Sequence, residues 1–139
     1  MKSPELFDLR GKTALVTGGG RGIGRHIAAG LAEAGARVAI ASRKRANLDE
    51  ARADIEAGGG EVLVFESDLG SGDGPEKLAQ EVLAETGRID ILVNNAAVRP
   101  EKPFLEMTAA EWHSVLDVDL HAAFYTCQAF LPRMIENGW

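Results

Sequence analysis

A chain of 139 residues, 45% hydrophobic and 26% charged, has the composition of an ordinary soluble globular domain and is long enough to bury one core. Its net charge of −6 speaks against nucleic acid as the main partner, no apolar run approaches the roughly 20 residues of a membrane span, and a lone cysteine, Cys127, excludes an internal disulfide. Met1 to Leu9, with Pro4, Glu5 and Asp8, lacks the apolar stretch of a secretory leader, so a reducing, cytoplasmic setting is expected.

Lys12–Thr17 (KTALVT) is a short apolar run with the pattern of a buried strand. Glycine-rich residues 18–24 follow. Ile23, Ile27, Ala28, Leu31 and Ala32 then recur at helical spacing, and Gly35 closes that helix. Arg37–Ala41 (RVAIA) is the second strand. Asn47 with Glu50 three residues later resembles a capping box for the second helix, which Gly58–Gly60 end. Glu61–Glu66 (EVLVFE) is the third strand. Pro75 fits the first position of a third helix that stops at Gly87, and Ile89–Val93 (IDILV) is the fourth strand. A longer loop with Pro100 and Pro103 leads to a second capping box, Thr108 with Glu111. It opens a long helix reaching about Asn137, expected to kink at Pro132 and end at Gly138.

Four strand–helix alternations with strands apolar on both faces imply a parallel sheet covered by helices on each side. Right-handed crossovers and a glycine loop after the first strand make this an α/β, Rossmann-type doubly wound sheet of about four strands. With no linker, repeat or low-complexity tract, residues 1–139 are read as one dinucleotide-binding domain.

Charge is unevenly spread. Residues 1–45 hold nine Lys or Arg against three acids, and the remainder holds six against eighteen. A cationic third in an acidic chain suggests a local anionic ligand, and the phosphate-type loop lies within it. In Thr17-Gly18-Gly19-Gly20-Arg21-Gly22-Ile23-Gly24 the first amides of a helix lack intrahelical partners and the helix dipole adds positive potential. Glycine lets a pyrophosphate approach the backbone. The Gly-x-x-x-Gly-x-Gly spacing differs from the general Gly-x-Gly-x-x-Gly fingerprint, and no Lys-Ser/Thr follows as in nucleotide-hydrolysing loops.

These residues resemble the short-chain dehydrogenase/reductase family along essentially the whole chain. Thr17 to Gly24 matches its cofactor loop, and Asp68-Leu69 after the third strand matches its adenine contact. Asn94-Asn95-Ala96-Ala97 is similar to its Asn-Asn-Ala-Gly element, with Ala97 where glycine is usual. The resemblance implies cofactor binding by Gly18, Gly20, Arg21, Gly22, Ile23, Gly24, Asp68, Leu69, Asn95, Ala96 and Ala97, with Asn94 bracing the sheet. It also implies a homodimer or homotetramer formed through the helix resembling residues 109–137.

Cofactor choice follows from charge. NAD-selective enzymes present a carboxylate to the ribose 2′-hydroxyl at the end of the second strand. Here Ala41-Ser42-Arg43-Lys44-Arg45 holds no acid before Asp49. Ser42 and Arg43, with Arg21 from the loop, suit a 2′-phosphate, so NADP is expected over NAD.

The long helix carries one candidate catalytic position, Asp119, centred in a stripe of Trp112, Val115, Leu116, Ala122, Ala123, Thr126, Phe130 and Met134. A buried carboxylate there needs a hydrogen-bonding partner or a proton. The family has Asn at this place, its backbone holding a water of the proton relay. His26, His113 and His121 show no metal-ligand spacing, so no metal is expected.

Tyr125 is the sole tyrosine and Ala129 stands four residues on, so the family's Tyr-x-x-x-Lys pair and its serine are absent from this chain. The expectation is an NADP(H)-dependent oxidoreductase acting on a carbonyl or secondary alcohol, of the 3-oxoacyl-carrier or sugar-acid type. The 139 residues, truncated before a fifth strand, are expected to be inactive alone. The alternative is a nucleotide-binding fragment or pseudo-subunit without catalysis of its own.

Overall fold

A computed structural model describes residues 6–139; Pro4 and Glu5, cited above against a leader, lie outside them. The chain runs β1 (Thr13–Thr17), α1 (Gly22–Glu33), β2 (Arg37–Ser42), α2 (Arg45–Ala57), β3 (Val62–Glu66), α3 (Gly74–Thr86) and β4 (Ile91–Val93). A 3₁₀ turn (Phe104–Glu106) then precedes a long helix in two parts, α4 (Ala109–Leu116) and α5 (Ala122–Asn137), joined by a π-helical turn at Asp117–His121. All strand pairs are parallel and the order is β3-β2-β1-β4, the doubly wound Rossmann arrangement expected.

Side-chain alternation along the strands sorts the core into two layers. Ala14, Val16, Val38, Ile40 and Val62 face α1 and α2, meeting Ala28, Leu48, Ala51 and Ile55. Leu15, Ala39 and Ala41 face the other way onto Leu78, Ala79, Val82, Ala122 and Phe130 of α3 and α5. Phe130 is fully buried and is the anchor that seats α5 on the sheet. Because β1 is covered on both faces and paired on both edges, its C-terminal end is held firmly. The crossover direction reverses between β1 and β4, which opens a crevice beyond their ends.

Asp90, just before β4, is a buried acid. Its Oδ2 accepts the Thr13 amide at 2.8 Å and lies 3.4 Å from Arg88 Nε, while its own amide donates to the Thr13 carbonyl at 2.8 Å. A carboxylate is stable there because a backbone N–H and a guanidinium replace the water it loses.

Four local expectations are corrected. Strand four begins at Ile91 rather than Ile89. Helix α2 starts at Arg45 behind an extended Lys44, so Asn47 sits within its first turn and caps nothing; Glu50 turns to Arg25 at 3.8 Å instead. The short link after β2 simply begins the helix earlier. Pro75 occupies the second position of α3, after Gly74. Finally, α5 runs unbroken through Pro132, and the helix's irregularity lies earlier, at the π turn. Pro132 and Gln128 are both exposed, so water can serve the carbonyl left without a donor. The Thr108–Glu111 capping box forms as expected, and Gly35, Gly58, Gly87 and Gly138 fall at helix ends.

Asp90→Ala leaves the Thr13 amide buried without an acceptor; urea unfolding is expected to show a loss of about 1–3 kcal/mol. The Lys102 ammonium, at 2.8 Å, and the Thr108 amide and hydroxyl hold the Glu111 carboxyl down at about 2. Its folded value is depressed, so its contribution is present above the ordinary carboxylate range and is lost as pH falls through about 2. An NMR titration of the Glu111 carboxyl should show that low midpoint, and Lys102→Ala should raise it.

Candidate functional site

The crevice beyond β1 and β4 begins at the first turn of α1. Arg21 precedes that helix in extended conformation, no side chain caps it, and its first turn holds no acid. The opening amides therefore face outward with the positive end of the dipole behind them. Backbone conformation and close packing both favour glycine in this turn. Gly18 has φ +68° and Gly22 φ +54°, both left-handed. A Cβ on Gly24 would overlap the Gly18 carbonyl and the Asn95 amide, whereas one on Gly22 would meet nothing within 4 Å. The helix start is thus tight against the sheet and open toward the crevice.

The resulting cleft has a volume of about 460 Å³, within the usual range for small-molecule sites. Its lining brings together Gly18, Arg21, Gly22, Ile23, Gly24, Ser42, Arg43, Asp68, Leu69, Asn95, Ala96 and Ala97, residues far apart in sequence. Gly20 lies just behind the wall, where a Cβ would stand 2.9 Å from Ser42 Oγ. Leu69 belongs to the cleft and also to the core beneath it.

Most arginines in the first half of the chain are matched to acids. Arg25 pairs with Asp54 and Glu50, Arg37 with Glu61, Arg45 with Asp49 and Arg52 with Glu56. Among the described residues, Arg21, Arg43 and Lys44 have no carboxylate partner, and all three line the cleft. Among the described residues Asp68 is the one acid lining it, and its Oδ1 accepts the Gly70 amide at 3.0 Å. Three unneutralised cations against one carboxylate leave a field suited to an anion.

The opposite wall is the segment after β4, and Thr17 fixes it. The Thr17 hydroxyl accepts from the amides of Asn95 (3.0 Å) and Ala96 (3.1 Å) and donates to the Val93 carbonyl (3.3 Å). Asn95 Nδ2 donates to the Thr17 carbonyl at 2.9 Å and to that of Gly18 at 3.4 Å, so this side chain ties the wall to the glycine turn. Asn94 braces, as expected: its Oδ1 accepts from Thr126 Oγ1 at 2.7 Å and its Nδ2 faces Cys127 Sγ at 3.4 Å, fastening β4 to α5.

Asp119 departs from expectation. It is exposed rather than buried in an apolar stripe, and its Oδ1 accepts the Val98 amide at 2.8 Å. The π turn adds a residue to the helix here, displacing the periodicity from which the stripe was drawn, and Val118 rather than Asp119 lines the cleft. Sequence reasoning quoted Thr17, Lys44 and Asn47 within their motifs but gave them no role in the site, and it passed over Ser67. A threonine closing a buried strand just before the glycine turn was the available signal for the first.

Comparison with known proteins agrees with this geometry. Residues 12–139 match the short chain dehydrogenase family. Gluconate 5-dehydrogenase of Gluconobacter oxydans (strain 621H) is 36% identical over 138 residues, covering 99% of this chain and 54% of that protein. Among solved structures, a metagenomic short-chain oxidoreductase in complex with NADP superposes with a TM-score of 0.88 at 40% identity, over 94% of this chain and 59% of that one. A 3-oxoacyl (acyl-carrier-protein) reductase from Agrobacterium tumefaciens C58 with NADP bound gives 0.93 at 34% identity, over 100% and 54%. The chain belongs to the short-chain dehydrogenase family and spans about half the length of the relatives it matches.

Asp119→Ala should release the Val98 amide, and hydrogen exchange there should quicken, whereas Asp119→Asn keeps an acceptor oxygen and should leave it protected. Equal exchange in all three proteins would show that Asp119 does not hold the Val98 amide.

Proposed function

We propose that the protein carrying this chain is an NADP(H)-dependent oxidoreductase that transfers a hydride between nicotinamide and a carbonyl or secondary alcohol. The observation that carries this reading is Arg21 and Arg43, both without a carboxylate partner among the described residues, beside a β2 end that bears no acid. A carboxylate there would accept from a ribose 2′-hydroxyl and repel a 2′-phosphate, and guanidinium groups do the reverse.

The residues present fit the cofactor. The outward amides of Gly22, Ile23 and Gly24 would hold the pyrophosphate, in the space a Cβ at Gly22 would occupy. Ser42, Arg43 and Arg21 would hold the 2′-phosphate, Asp68 and Leu69 would border the adenine, and Asn95 to Ala97 would border the ribose on the nicotinamide side. When bound, the nicotinamide supplies or accepts the hydride. Proton transfer is not assigned to these residues, since Tyr125 has Ala129 four positions on and lies exposed on α5. Sugar acids and 3-oxoacyl groups, named for the relatives, are the substrate classes proposed for the whole protein.

Self-association belongs to the same proposal. Leu120, Phe124, Leu131 and Ile135 are exposed along one side of the long helix, the surface through which a homodimer or homotetramer would form.

Arg43→Ala removes a charge-assisted contact of about 1.5–3 kcal/mol, so NADPH affinity of the intact protein should fall about 10- to 100-fold in calorimetry with NADH affinity unchanged. Unchanged NADPH affinity would contradict the assignment.

A further inference from the structure

Asn47 is left without a task by the correction made to α2. It lies in the first turn of that helix, half-buried, and lines the cleft. The side-chain hydrogen bonds of this turn run from Ser42 Oγ to the Lys44 carbonyl at 3.5 Å and from Arg45 Nε to Asp49 Oδ1 at 2.9 Å; among the described residues none engages the Asn47 amide. Asparagine is a poor helix former, so local stability does not account for it.

Its surroundings do point to a role. Gly20 packs closely behind Ser42 and Asn47: a Cβ there would stand 2.9 Å from Ser42 Oγ and 3.2 Å from Asn47 Cβ, so the absent side chain is what lets these two residues lie side by side. This packing brings a hydroxyl and a neutral amide together on the cleft wall that Arg43 and Lys44 also line. The α2 first turn holds no acid and no side chain caps it. A dianionic group placed here would find donors from Asn47 Nδ2 and Ser42 Oγ with two cations alongside.

We propose that Asn47 is a further specificity-determining residue, donating from Nδ2 to the ribose 2′-phosphate and, with Ser42, fixing where that phosphate sits between the cationic side chains. This rests on the reading of the cleft as an NADP(H) site. An amide suits the position because it donates without competing for the cations, as a carboxylate would.

The test titrates NADPH, NADH, adenosine 2′,5′-bisphosphate and AMP into the intact protein, Asn47→Ala and Asn47→Asp. The expected result is about a tenfold loss for NADPH and the bisphosphate in Asn47→Ala and a larger one in Asn47→Asp, with NADH and AMP unchanged in both. Unchanged NADH binding also reports that the variants are folded. Equal losses for phosphorylated and unphosphorylated ligands, or no loss, overturn the role of Asn47 alone. A parent protein that does not prefer NADPH overturns the cofactor reading and this inference with it.

Discussion

The opening amides of α1 are the feature on which the cleft depends, and they are available because of what the chain leaves out. No side chain caps the helix, no acid sits in its first turn, and no Cβ stands between Gly22 and solvent. Gly24 lets the helix press against the Gly18 carbonyl, so the amides project from the end of a strand that is buried along its whole length. A helix dipole contributes about 0.3–1 kcal/mol to an anion at an exposed end, and more where water is partly excluded. That sum is modest by itself, which is why the surrounding cations matter.

Those cations are distinguished by what they lack. Elsewhere in the first half of the chain arginines are matched to acids one turn or one element away, as Arg45 is to Asp49 and Arg25 to Asp54. Around the cleft the matching stops at Arg21, Arg43 and Lys44. The opposite wall is neutral and held by hydrogen bonds instead, with the Thr17 hydroxyl serving three backbone groups and Asn95 returning to the glycine turn. One wall thus supplies charge and the other supplies fixed shape.

Much of this is legible in the amino-acid sequence. The runs KTALVT, RVAIA and EVLVFE become strands because buried parallel strands are apolar on both faces, and the glycine turn after Thr17 admits few other conformations. Capping was half legible. Thr108 with Glu111 closes reciprocally, whereas Asn47 with Glu50 matches the same pattern in a helix already started two residues earlier. Asp119 was misplaced for a related reason: nothing in Asp117–His121 marks a π turn, since no glycine or proline interrupts it, yet one extra residue changes which side chains share a face. The roles of Asp90 and Thr17 were missed because their value lies in backbone amides contributed by distant segments, to which local pattern is blind.

The central claim is that unpaired helix amides and unmatched guanidinium groups make this cleft a site for a dinucleotide carrying an extra phosphate. Calorimetric titration of the intact, unmodified protein with NADPH and NADH at two salt concentrations tests it most directly. NADPH is expected to bind at least about tenfold tighter than NADH at low salt, with the difference narrowing as salt screens the cations. Equal affinity for the two at low salt, or heat from neither, would contradict it.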